Sequence, residues 1–270
     1  MFAKITLAAA LVSALVLPAF ADDPVQNPLV PGETWDYLSD DVVGDGPITL
    51  SDNILSLDAP YRAHDAATVP VLLKQRDDST TIKSATVVVD ENPAPVAGTF
   101  TFSDAMAPLD FELRVRVDQY SNVRVIADTS DGLYMTGRFV KASGGCSAPA
   151  SGDAALALAS MGQMKLRSFE PEIKMSGQRR EAQIMIRHPN YSGLQRDQIT
   201  QLFIPAHFLD TIEVWQDDEL LFTMEGGISI SENPVFRFFY RDNGALNLTI
   251  KATDTEGNTF QEILPKDAAT

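Results

Sequence analysis

The sequence predicts an all-β protein: two antiparallel β-sandwiches in one chain, joined by a flexible small-residue linker. Three observations lead there. Short segments of alternating apolar and polar residues recur along the chain with turn residues between them. Little of the chain carries a helical period. The β patterning stops at Ser143 and resumes at Gln163, which divides the sequence into two halves.

The first residues, MFAKITLAAALVSALVLPAFA, have the layout of a secretory signal peptide. Lys4 gives a basic start, residues 5–17 are an apolar run too short to span a bilayer comfortably, and Ala19-Phe20-Ala21 is a small-x-small cleavage signal. Cleavage after Ala21 and export to the periplasm are expected, by the general secretory route because no twin arginine precedes the run. No later stretch approaches the ~20 apolar residues of a spanning helix. Residues 22–47 form an N-terminal extension rich in Pro, Asp and Gly, with a short helix expected near Glu33 to Val43 that has Trp35 and Leu38 on one face.

From residue 48 to 145 the first sandwich is expected. TVVVD (86–90) and TFTF (99–102) read as strands around the turn region ENPAPVAG. FELRVRVD (111–118) alternates, placing Phe111, Leu113, Val115 and Val117 on a buried face and Glu112, Arg114 and Arg116 on the other. Residues 122–143 read as two strands joined at TSDG, where Gly132 tolerates a positive φ. Residues 146–162 make the arm and linker, with a turn or two of helix in AALALAS. The second sandwich is expected over 163–265: strands at QMKLR, EAQIMIRH (181–188) and QITQLFIPAHF (198–208), a hairpin over 211–225 around QDDE, and three further strands over 233–265. Residues 266–270 are a tail.

The formal net charge is −16. Such a field repels nucleic acid and anionic lipid and suits solubility or the steering of basic protein partners. No G-x-S-x-G elbow, phosphate loop or dinucleotide fingerprint occurs, and no cofactor is expected. The three histidines, His64, His188 and His207, lie far apart in sequence, and none stands at metal-ligand spacing from another. They read as hydrogen-bonded structural residues, with no metal site.

The lone cysteine is the residue that calls for a role. Cys146 lies in KASGGCSAPASG, behind Gly144 and Gly145 and ahead of Pro149. In an oxidising compartment a single cysteine cannot close an internal disulfide. Free cysteine is often a small buried hydrophobe, but here no apolar run or alternation surrounds it. An exposed thiol on a mobile segment is therefore expected, with Gly144 and Gly145 as hinge. Lys141 is the nearest cation, yet glycines hold geometry poorly for thiol catalysis. The segment suits presenting a thiol better than acting as an enzyme.

At these residues the sequence resembles a known family. DAPYRAHDAATVPV (58–71) and VRVDQYSNVRVIADTSDGLYMTGRFVKASGGC (115–146) resemble SoxY, the cysteine carrier of bacterial sulfur oxidation. IRHPNYSG (186–193), IPAHFLDTIEV (204–214) and NPVFRFFY (233–240) resemble its partner SoxZ. The resemblance implies a fused SoxYZ-like carrier of two immunoglobulin-like sandwiches in mutual contact. It implies covalent attachment of a thiosulfate-derived sulfur intermediate at Cys146 and presentation to periplasmic sulfur-oxidation enzymes. Fused carriers of this kind are associated with quinoprotein alcohol dehydrogenases, which offers a second class of partner. The family arm ends Gly-Gly-Cys-Gly-Gly at a free terminus, whereas here Ser147-Ala148-Pro149 follows and the chain continues. Two other readings stay open: an accessory module of a dehydrogenase system with an incidental thiol, and a thiol enzyme, which the absence of a second, resolving cysteine disfavours.

Overall fold

In the computed structural model the described residues are 27–44, 46–149, 154–169 and 179–266. The expected signal peptide, part of the linker and nearly all of the tail lie outside them. Fifteen strands and two α-helices follow in order among these residues. The first half contains α1 (Thr34–Val43), β1 (Ile48–Leu50), β2 (Leu55–Asp58), β3 (Val69–Gln75), β4 (Ile82–Val89), β5 (Val96–Phe102), β6 (Asp110–Val115), β7 (Ser121–Thr129) and β8 (Gly132–Val140). After α2 (Ala154–Ala159) come β9 (Met164–Phe169), β10 (Arg179–Ile186), β11 (Leu209–Gln216), β12 (Glu219–Gly226), β13 (Val235–Arg241), β14 (Asn247–Asp254) and β15 (Thr259–Pro265).

The strands build two open sheets that face each other. One has nine strands in the order β1-β8-β7-β4-β5-β12-β11-β14-β15, and the other six in the order β2-β3-β6-β13-β10-β9. All pairs are antiparallel except β1 with β8. Each half gives strands to both layers, as two sandwiches require. The layers do not stop at the boundary: β5 pairs with β12, from Phe102 opposite Phe222 to Gly98 opposite Gly226, and β6 pairs with β13 at Glu112 opposite Arg237 and Phe111 opposite Phe238.

The seam is apolar because phenylalanines on these four strands point between the layers. Phe111 meets Phe222 edge-on at 5.1 Å, Phe100 meets Phe236 at 5.9 Å, and Phe222 meets Phe238 at 5.2 Å. Aromatic pairs at such separations add to the burial of their area. All five rings are buried, and one continuous core runs through both halves. The expected segment QITQLFIPAHF is not a strand. Asp197 Oδ1 accepts the amide N–H groups of Ile199 and Thr200, and Gln201 takes φ +60°, so the chain turns before a ladder can form. Ile199, Leu202 and Phe203 are exposed rather than part of the contact between halves.

The N-terminal extension is strapped to the outer face of the larger sheet. Asn27 donates its side-chain amide to the carbonyls of Ala59 and Phe139, and Val30 exchanges two hydrogen bonds with the Asn122 side chain. Trp35, Val42 and Val43 of α1 then cover Val88, Ile126 and Met135. The Arg124 guanidinium lies 4.6 Å from the Trp35 ring and binds Asp90 through a bond of 2.8 Å.

Candidate functional site

The cysteine segment leaves the end of β8 and is laid against both halves. The Gly144 amide donates to the carbonyl of Asp118 (2.7 Å) and the Gly145 amide to that of Val117 (3.0 Å). Gly144 has φ +78°, a conformation other residues rarely hold. Gly145 is needed for a different reason: a Cβ there would stand 2.1 Å from the Ala66 carbonyl oxygen. The Cys146 amide donates to Asp118 Oδ1 at 3.2 Å. The second half then takes over. The Ser192 hydroxyl donates to the Cys146 carbonyl, and Gln195 Nε2 donates to the Ala148 carbonyl at 2.9 Å.

This arrangement corrects the expectation of an exposed thiol on a mobile segment. Cys146 is 0 % exposed. Part of what holds the segment down, Ser192 and Gln195, stands more than 40 positions downstream, on a loop that local composition cannot reveal. Burial pushes the thiol up to about 12, the Asp118 carboxylate adds to the rise, and the Arg116 guanidinium opposes both. In this docked conformation the sulfur is a protonated thiol and a poor nucleophile. The Lys141 ammonium lies over the Tyr61 ring, 4.7 Å from its centroid.

Arg116 is the second correction. It was expected on the outer face of its strand, yet it is 1 % exposed. The cysteine segment and the second half cover it. Its Nη1 donates to the Gly145 carbonyl at 3.0 Å and its Nη2 to the Asn190 carbonyl at 3.2 Å. One guanidinium therefore ties the residue before Cys146 to the loop of the other half. Asp118, Ser192 and Gln195 belong to the same site. Of the four, Arg116, Asp118 and Ser192 stood in segments the sequence made conspicuous, but nothing local marked their role, and Gln195 stood outside them.

The histidines separate. His64 is exposed. His188 and His207 are buried and come together, their ring centroids 4.9 Å apart, beside the buried Asp254. His207 Nε2 is 2.8 Å from Asp254 Oδ2 and His188 Nε2 is 3.5 Å from it. The hydrogen-bonded role expected for these two rings is thus seen, with a carboxylate partner that sequence spacing did not point to.

No curated protein matches the chain. The family described as sulfur oxidation protein SoxY matches residues 39–146, a stretch that ends on the cysteine, and the family described as sulphur oxidation protein SoxZ matches residues 167–264. Among solved structures, the sulfur carrier protein SoxY from Chlorobium limicola f thiosulfatophilum is similar at 25 % identity over 40 % of this chain and 96 % of that one, with a TM-score of 0.34. A β-glycosidase from Bacteroides vulgatus is similar at 9 % identity over 80 % of this chain and 25 % of that one, with a TM-score of 0.25. A SoxY half that ends at the lone cysteine and a SoxZ half that holds that cysteine's backbone share one polypeptide, and the chain belongs to the SoxYZ-like family in its fused form.

Proposed function

We propose that this protein is a covalent sulfur carrier in the periplasm, that Cys146 is the attachment point, and that Gly144 and Gly145 are the hinge about which the segment opens. The observation that carries the reading is the position of the thiol: the lone cysteine closes the SoxY match, and its segment is held through the backbone by Asp118, Ser192 and Gln195 rather than by apolar packing of a strand. The N-terminal sequence supports export, and among the described residues no helix is long and apolar enough to cross a membrane.

Loading begins with the segment leaving Ser192 and Gln195, which brings the thiol into water and back toward its ordinary acidity. Joining the thiol to thiosulfate forms a sulfur–sulfur bond and releases the thiol proton and two electrons. The electrons pass to an oxidoreductase partner, so the carrier supplies the tether and the partner the redox chemistry. Periplasmic sulfur-oxidation enzymes fit that role, and a quinoprotein dehydrogenase system is the second candidate. The hinge lets one carrier serve several active sites in turn without releasing a labile intermediate.

The burial of Cys146 favours one other reading, an accessory module whose thiol is a core side chain. The intact mass of protein recovered from its native host, with and without reductant, separates the two. A reducible adduct of sulfur or sulfonate units, absent in Cys146→Ser, is expected of the carrier. An unmodified thiol in cells running the pathway, with full pathway activity in Cys146→Ser, selects the accessory module.

A further inference from the structure

His188, His207 and Asp254 form a buried group in which two ring nitrogens converge on one carboxylate oxygen. Asn190 is fully buried and fixes the first ring: its Oδ1 accepts the Leu209 amide (3.1 Å), its Nδ2 donates to the Ser231 carbonyl (3.0 Å), its Oδ1 lies 2.7 Å from His188 Nδ1, and its backbone amide donates to that Nδ1 at 3.1 Å. His188 Nε2 is thereby turned toward Asp254 Oδ2 at 3.5 Å, with 0 % side-chain exposure on both sides. That separation is long for a hydrogen bond and close to the spacing of two ligands on one ion.

His207 completes the arrangement from the opposite wall. Its backbone is fixed by reciprocal bonds with Tyr191 of 2.8 and 3.0 Å. Its Nε2 faces the same Asp254 oxygen, and its Nδ1 lies 3.7 Å from Glu256 Oε1. Both rings thus turn Nε2 toward the same Asp254 oxygen, with Nδ1 on the outer side, held by Asn190 in His188 and facing Glu256 in His207. The three inward atoms lie within 4.8 Å of one another. Metal–ligand lengths of about 2.0 Å in a tetrahedron place ligand atoms about 3.3 Å apart. The observed 2.8 and 3.5 Å bracket that spacing. Asp254 is anchored for the purpose: its Oδ1 accepts the amides of Glu256 and Asn258, and its Oδ2 also accepts the Asn258 side chain.

We propose that His188, His207 and Asp254 form a binding site for a divalent first-row transition ion of the zinc class. Two imidazoles and one carboxylate are borderline ligands that suit zinc, iron(II) or cobalt(II) better than calcium or magnesium. A water completes the shell on the side of His207, whose side chain keeps 8 % exposure. Through Asn190, whose carbonyl receives Arg116, the site braces the loop that grips the cysteine segment. The inference stands on this geometry and not on the carrier reading.

The test uses the exported chain without an affinity tag, stripped with chelator and titrated with zinc by calorimetry and with cobalt(II) by visible absorption. The expected result is one ion per chain, with a cobalt ligand-field band in the visible. His207→Gln and Asp254→Asn, each checked by circular dichroism, are expected to weaken binding by about 100-fold or more, and exposed Glu256→Ala by about 10-fold. His64→Ala is expected to change nothing. Binding no tighter in the parent than in Glu256→Ala and His207→Gln, or the absence of the cobalt band, overturns the proposal.

Discussion

The Ser192 hydroxyl, in the SoxZ half, donates to the backbone carbonyl of Cys146, in the SoxY half. The cysteine segment is therefore clasped by the SoxZ half as well as by its own. On the proposed carrier reading, release of this clasp and of Gln195 from Ala148 is the step that opens the segment. Each neutral hydrogen bond contributes about 1 kcal/mol. Ser192→Ala with Gln195→Ala should raise the open fraction roughly 10- to 30-fold, read as the rate of iodoacetamide labelling at fixed pH. Labelling no faster than in the parent would show that these contacts do not close the site.

The same reaction measures the burial of the thiol. A value of about 12 in place of 9.0 leaves on the order of 10³-fold less thiolate near neutral pH. Labelling of the folded parent should be slower than that of the urea-unfolded chain by a factor approaching this, limited by how often the segment opens.

Gly145→Ala should undock the segment without unfolding the protein, because the added carbon would meet the Ala66 carbonyl at 2.1 Å while the core stays untouched. The expected result is fast labelling of Cys146 with an unchanged circular dichroism spectrum. Gly144→Ala, which meets only Ser147 Oγ at 3.9 Å but must hold φ +78°, should have a milder effect of about 1 kcal/mol.

Alkaline stability should carry a Cys146 component. The folded thiol stays protonated up to about 12, whereas the unfolded thiol ionises near 8.5. The unfolded state thus sheds its proton first as pH rises, so this contribution is complete below about pH 8.5 and declines toward pH 12. Urea unfolding at about pH 8 and pH 10 should show the parent losing roughly 1–2 kcal/mol more than Cys146→Ser between the two.

Phe111→Ala should cost about 3–5 kcal/mol, since the ring is fully buried and touches Phe100, Phe222 and Phe236 from both halves. The loss should appear as a shift of a single unfolding transition that includes both halves. Two separated transitions, with only the first shifted, would mean that the seam does not couple them.

The sequence announced the elements whose burial is decided by neighbours along the chain. The β7–β8 hairpin around Gly132, the alternating β6 and the β11–β12 hairpin all lie where periodicity places them. It failed where burial is decided from a distance. Cys146 sits among small residues that look exposed, yet it is buried where the segment is held by Asp118 of its own half and by Ser192 and Gln195 of the other. Arg116 occupies a polar position of an alternating strand and is buried by a loop 74 residues away. The apolar run after Asp197 invites a strand, but the Asp197 carboxylate claims the amide groups a ladder would need. His188 and His207 meet Asp254 only because β14 brings that carboxylate beside the loop. Spacing within the sequence cannot express such a meeting.

The pairing of β5 with β12 and of β6 with β13 makes the covalent link between the halves redundant as a fastener. A protease site engineered near residue 150 should leave, after cleavage, a nicked complex that still elutes as one species on gel filtration. Its first fragment would then end a few residues beyond Cys146. A single cut would turn a loop anchored at both ends into a free-ended arm, and comparing the labelling of nicked and intact protein would measure how far the second anchor restrains the thiol.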